Sequence, residues 1–240
     1  MKIVASEEEW TMKTMHKLVI GLALSLGAAS TAWATPLSFD LVDPNSALGA
    51  AGSPPYAHVS VDLLDATHAQ FDVTSYPTYG LIGESMFDIN ASNYSTGSVL
   101  VSSILETPLS GYSAQTPKPV GYGAANVDGR GSFNVRISNQ SASDLIGELQ
   151  FTLTNEVGSW NSVNDILAEN GNGNLAAAHI SALDASGNVI NTGYAGGNAF
   201  DTGGQGGHGT PAPVPEPGTM VLLGAGLMTL AVYGKRHNRS

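Results

Sequence analysis

Residues 58–74 read HVSVDLLDATHAQFDVT, and this stretch decides the fold. Val59, Val61 and Leu63 alternate with His58, Ser60 and Asp62, and Phe71 and Val73 alternate with Gln70, Asp72 and Thr74. Period-two alternation puts apolar side chains on one face of a strand and polar ones on the other, as in an antiparallel sheet with one face in the core. Asp65-Ala66-Thr67 between the runs supplies turn chemistry, so the stretch is predicted to be a hairpin. The same pattern recurs at 81–89, 99–105, 132–137 (Phe133, Val135 and Ile137 inward) and 148–154 (Leu149, Phe151 and Leu153 inward). Runs at 176–183 and 189–191 flank the turn cluster Asp184-Ala185-Ser186-Gly187-Asn188. Many short strands joined by Gly, Asn and Asp turns predict an all-β fold, an antiparallel β-sandwich of jelly-roll type. One helix is expected, over 162–169, capped by Asn161 or Ser162.

Outside this body the composition changes. Of 240 residues only 12% are charged, and 9 Lys+Arg stand against 20 Asp+Glu for a net charge of −11. Six of the basic residues lie at the ends; between residues 35 and 217 only Lys118, Arg130 and Arg136 face 17 acids, a net charge near −14. Such a body lacks the clustered cations that nucleic-acid binding needs. With no Cys there are no disulfides, thiolate nucleophiles or Cys-built metal sites.

Both ends read as membrane-directed segments. Lys13, His16 and Lys17 precede the apolar run 18–29, LVIGLALSLGAA, and Ala32-Trp33-Ala34 follows as an A-x-A cleavage site. These are the three parts of a secretory signal, so residues 1–34 are an N-terminal extension plus signal peptide and signal peptidase is expected to leave Thr35 at the mature N-terminus. Glu7, Glu8 and Glu9 oppose a positive leader, which moves the expected start of translation to Met12 or Met15. Residues 35–201 form the expected ectodomain, and 202–213, TGGQGGHGTPAP, a Gly/Pro linker. Residues 219–234, TMVLLGAGLMTLAVYG, carry no charge and predict a single hydrophobic helix of about 24 Å, short for a bilayer core of about 30 Å unless Lys235 and Arg236 snorkel. The basic tail with Lys235, Arg236 and Arg239 places that end in the cytoplasm and the body outside the inner membrane.

Immediately before that run stands Val214-Pro215-Glu216-Pro217. The prolines on either side of Glu216 hold the strip extended and without regular backbone hydrogen bonds, a shape a protease reads. A V-P-E-P strip, an apolar helix with small residues and a short basic end together resemble the PEP-CTERM sorting signal. The resemblance implies an exosortase, an integral-membrane cysteine protease of Gram-negative, exopolysaccharide-producing bacteria, as the partner. It implies cleavage near residues 215–217, with the helix a transient inner-membrane anchor, and delivery of the body to the cell surface or extracellular matrix. The body also resembles ectodomains that precede this signal, through GSFNVRISN at 131–139, LQFTLTN at 149–155 and AAHISALDASGNVINTGYAG at 177–196.

Catalytic signals are sparse. His58, His68, His179 and His208 form neither H-E-x-x-H nor H-x-x-x-H, and no G-x-S-x-G is present. His179 is expected to face away from Ile180, and Asp62, Asp72 and Asp88 to point outward as solubilising charges. Asn170-Gly171-Asn172-Gly173-Asn174 lacks the Gly and Glu positions of an EF-hand, leaving only a loop calcium ion on Asp165, Glu169 and backbone carbonyls as a cation reading. Gly121-Tyr122-Gly123 and 193–197 read as turns with an anchoring Tyr. The expected function is a non-enzymatic, exosortase-sorted surface or matrix protein associated with exopolysaccharide and biofilm. The alternatives are a carbohydrate-binding module stacking sugars on Tyr76, Tyr79, Tyr94 and Trp160, and a secreted glycoside hydrolase built on a carboxylate pair.

Overall fold

The computed structural model describes residues 35–113, 119–139 and 144–199, which belong to one compact unit, Ala34–Pro211. Every strand pairing among the described residues is antiparallel. Among the described residues twelve strands make one curled sheet that doubles back into two facing layers, a sandwich-like all-β body with almost no helix.

The first layer runs in the order β1 (Leu37–Leu41), β3 (Ala57–Leu63), β4 (His68–Ser75), β10 (Ile146–Asn155) and β7 (Val99–Pro108). The second runs from β2 (Asp43–Pro44) through β12 (Val189–Gly197) to β11 (Ala176–Leu183). On the far side of β11 lie β5 (Tyr79–Leu81) and β6 (Phe87–Ile89), followed by β9 (Gly131–Ile137) and β8 (Val120–Val127). The layers are joined at two corners. Leu81 pairs with both Ile146 and Ile180, and the chain leaves β1 in one layer to enter β2 in the other.

The alternation read at 58–74 holds residue by residue. Val59, Val61, Phe71 and Val73 are fully buried, and the β3–β4 register pairs Val59 with Val73 and Val61 with Phe71. Leu149, Phe151 and Leu153 add the third row. Phe151 stacks on Phe71 at 4.7 Å and meets Phe87 of the opposite layer at 6.0 Å, so aromatic contact spans the core. The β3–β4 turn is closed by Asp65, whose Oδ1 accepts from the backbone N–H of Thr67 and of His68.

Several expectations need correction. The run 81–89 is two strands. β11 has one residue, His179, where the partner has residues 82–86; Gly83 and Ser85, both at positive φ, loop the chain out of the ladder and against His179. The helix expected over 162–169 is a single 3-10 turn, Val163–Asp165, with Ser162 and Asp165 in a capping box. Buried Ile166 and Leu167 explain the early stop, because the chain straightens to bond Ser92 through Ile166 and Asn90 through Ala168. The supposed turns at 121–123 and 193–197 lie within β8 and β12. In β12 glycine permits close approach: a Cβ on Gly197 would overlap the Asp40 carbonyl. Two elements lie outside the expected set: β1, although its Leu37, Phe39 and Leu41 alternate with Ser38 and Asp40, and a four-residue helix α1 (Ser46–Gly49) whose Asn45 cap accepts from Leu48 N–H at 3.1 Å. Among the described residues no helix is long and apolar enough to cross a membrane, and the expected span 219–234 lies outside them.

Candidate functional site

The shifted titratable groups with the most burial gather where β6, β9, β11 and β12 lie side by side. Asp88 stands on β6 between the core residues Phe87 and Ile89, so alternation turns it to the other face, and β6 pairs it with Arg136 of β9. It is not an outward solubilising charge: it has no exposed surface, and its Oδ1 accepts from Arg136 Nε at 2.8 Å. Burial pushes this carboxyl up to about 6, against the pull of Arg136 and of the Ser85 hydroxyl. The guanidinium also donates to the Asn126 carbonyl at 3.4 Å, tying β6, β9 and β8 together.

His179 lies on the same side of β11, opposite fully buried Ile180, as its alternation predicts. Its ring stacks on Tyr194 of β12 at 4.5 Å and 21°. The excursion at 82–86 wraps it, with Ile82 N–H donating to the His179 carbonyl and His179 N–H to the Ser85 carbonyl. Burial lowers the imidazole pKa and raises that of the Tyr194 phenol, which also feels the Asp88 charge. The group is thus a cross-strand ion pair next to a neutral, stacked imidazole.

A second polar group sits on the first layer, where Asp40 of β1 lies opposite His58 of β3. Asp40 Oδ1 meets His58 Nδ1 at 2.7 Å and accepts from the Tyr76 hydroxyl at 3.2 Å. On the same layer Asp72 is half-buried, its pKa raised by burial and then by the charges of Glu148 and Asp62.

The tip of the β8–β9 hairpin carries the site that sequence reasoning missed. Asn170, Asn172 and Asn174 point their amides at this tip. Asn170 Nδ2 and Asn174 Nδ2 both donate to the Arg130 carbonyl, at 2.9 and 3.1 Å, and Asn172 Nδ2 donates to the Gly129 carbonyl at 3.3 Å. Asn45 Nδ2 donates to Asp128 Oδ2 at 3.0 Å, and Arg130 pairs with Asp43. Beside the clamp opens a depression of about 420 Å³ lined by Asn126, Gly129, Gly131, Ser132, Gly171 and Asn172. The only sequence signal was the spacing of the asparagines; nothing local reveals a partner forty residues away.

Of the cation candidates, Asp165 uses its Oδ2 to accept from the N–H groups of Asn161 and Ser162, and Glu169 is exposed. Among the described residues no group of three or more His, Asp or Glu is placed to hold a metal. The aromatics expected to stack sugars are packed inward: Trp160 and Tyr79 are 5% and 7% exposed, and Tyr76 and Tyr94 lie partly buried against the core. Each sits in or next to a loop, with its side chain packed in or against the hydrophobic core.

Thr35 opens the described chain, whereas Ala32, Ala34, Val214, Pro215, Glu216, Pro217, Lys235, Arg236 and Arg239 fall outside the described residues. A family model for the PEP-CTERM protein-sorting motif matches residues 213–236, about a tenth of the chain. That span takes in the V-P-E-P strip, the apolar run and the first two basic residues after it. No curated protein and no solved structure matches the chain.

Proposed function

The chain carries a PEP-CTERM protein-sorting motif, which marks it as an exosortase-targeted extracellular protein, and from this premise we propose that it is a non-enzymatic matrix protein associated with exopolysaccharide. The match at 213–236 is the observation that carries the reading. The body supports it. Its Asp88–Arg136 ion pair and its Asp40–His58 contact join neighbouring strands, and its clamp of asparagines fixes a hairpin tip. These groups spend their hydrogen bonds on the fold, as a durable extracellular module requires. A body near −14 is repelled by anionic polymers, so contact with such a matrix runs through neutral hydrogen bonds or bridging cations.

The test is fractionation of wild type and Glu216→Ala in cells with and without the exosortase. The reading expects wild-type body outside the cell only when the protease is present, and Glu216→Ala held with the membrane. Equal release of both sinks it.

Carbohydrate binding is the second reading, favoured by the depression beside the hairpin tip. Its lining of amides, a hydroxyl and glycine backbone suits neutral polyols. Saturable binding of the native polysaccharide, lost in Asn126→Ala with Ser132→Ala, supports this role; binding unchanged in that double variant removes it.

A further inference from the structure

The chain contains two Asn–Gly steps, Asn170-Gly171 and Asn172-Gly173, and both lie in the clamp. In such a step the backbone nitrogen of the glycine attacks the Asn side-chain carbonyl carbon. A C–N bond forms, ammonia leaves, and water then opens the resulting succinimide to aspartate or isoaspartate. No oxidant or enzyme is needed. Glycine favours the step because no Cβ obstructs the approach; a Cβ at Gly171 or Gly173 would meet nothing within 4 Å.

The two asparagines are held very differently. Asn170 is half-buried, and its amide makes three bonds: Oδ1 accepts from Asn172 N–H at 2.9 Å and Asn174 N–H at 3.1 Å, while Nδ2 donates to the Arg130 carbonyl at 2.9 Å. Turning its carbonyl carbon toward Gly171 breaks all three. Asn172 is exposed and its side chain makes one long bond, 3.3 Å to the Gly129 carbonyl. Its attacking group, Gly173 N–H, is tied by a single turn bond to the Asn170 carbonyl at 3.0 Å.

We propose that Asn172 is a site of spontaneous deamidation in the folded protein, that Asn170 is shielded from it, and that the reaction loosens the hairpin tip. The product carboxylate at 172 cannot donate to the Gly129 carbonyl and repels it. The extracellular destination raises the stakes, because the reaction accumulates with the age of the molecule.

The test incubates the full chain in mildly alkaline buffer and follows each asparagine by peptide mass spectrometry, beside an unstructured peptide of residues 168–176. Asn172 should convert at least ten times faster than Asn170 in the folded chain, and unfolding should bring the two rates together. Asn172→Gln should abolish the fast phase, and Asn172→Asp should lower the melting temperature by about 2–4 °C, the shift expected for one lost hydrogen bond in a domain of this size. Equal rates at the two sites in the folded chain overturn the proposal, as does an Asn172 that stays amidated while the peptide converts. Asn172→Asp melting like wild type overturns the loosening.

Discussion

Asp88 shows how a single position departs from its sequence pattern. Alternation sets it opposite Phe87 and Ile89, which is right, but its carboxylate is covered rather than wet, with the Arg136 guanidinium of β9 on Oδ1 and no exposed surface. Period two reveals which residues share a face and not what covers that face. The consequence is a pH dependence with two opposed parts. Asp88 holds its proton up to about pH 6 in the fold, against an ordinary value of 3.8, so between these values the folded state binds more protons than the unfolded one. Stability therefore falls as pH rises through this window, by up to about 3 kcal/mol, and levels off above it. His179 acts the other way: its lowered pKa means that the unfolded chain takes up protons first, so its contribution is lost as pH falls below the ordinary imidazole range. Chemical denaturation across pH 4–8 should show Asp88→Asn losing the fall while keeping the rise due to His179. An unchanged slope in that variant contradicts the burial account. Gly197 is the other telling residue. The Asp40 carbonyl fills the place of its missing Cβ, so Gly197→Ala should cost about 1–3 kcal/mol by the same denaturation measurement.

At the scale of elements, legibility follows the length of the periodic run. β3, β4, β9 and β10 each present several alternating apolar residues, which makes their faces readable, whereas β11 is buried at every position but His179 and Leu183. β8 and the end of β12 are Gly- and Ala-rich and read as turns in sequence; in β12 the glycines at 193 and 197 let neighbouring backbone approach, whereas β8 is a largely exposed strand with no long apolar run. The 3-10 turn at Val163–Asp165 shows the converse: local capping was right, and tertiary demand for Ile166 and Leu167 in the core overrode helical continuation. The asparagine clamp was invisible for a different reason, since it joins residues 170–174 to 129–130 across a long stretch of chain. It predicts that Asn170→Ala, which removes three hydrogen bonds from the clamp, costs about 1–3 kcal/mol. Amide exchange should speed up at the β8–β9 tip and stay unchanged in the β3–β4 hairpin; a uniform increase contradicts a local clamp. The core stack carries a larger burden. Phe151→Ala, which removes the ring shared by both layers, should cost about 3–5 kcal/mol and lower the denaturation midpoint accordingly.

For the whole molecule, the address was legible and the body's chemistry was not. The V-P-E-P strip, apolar run and basic end are contiguous and match the sorting motif in that order, so one dimension of sequence suffices. The asparagine clamp, the Asp88 pin and the depression at the hairpin tip depend on strands brought together from distant segments. The charge asymmetry belongs to this scale too: six of the nine basic residues lie at the two ends, and the body between them is acidic. The central claim is that both ends are removed on the way. Its most direct test is terminal mass spectrometry of the protein recovered from outside exosortase-positive cells. The account predicts a chain that begins at Thr35 and ends within residues 213–217, and a protease-negative strain that retains 219–234 at the membrane. An extracellular chain that still carries 219–234 in the exosortase-positive strain would contradict it.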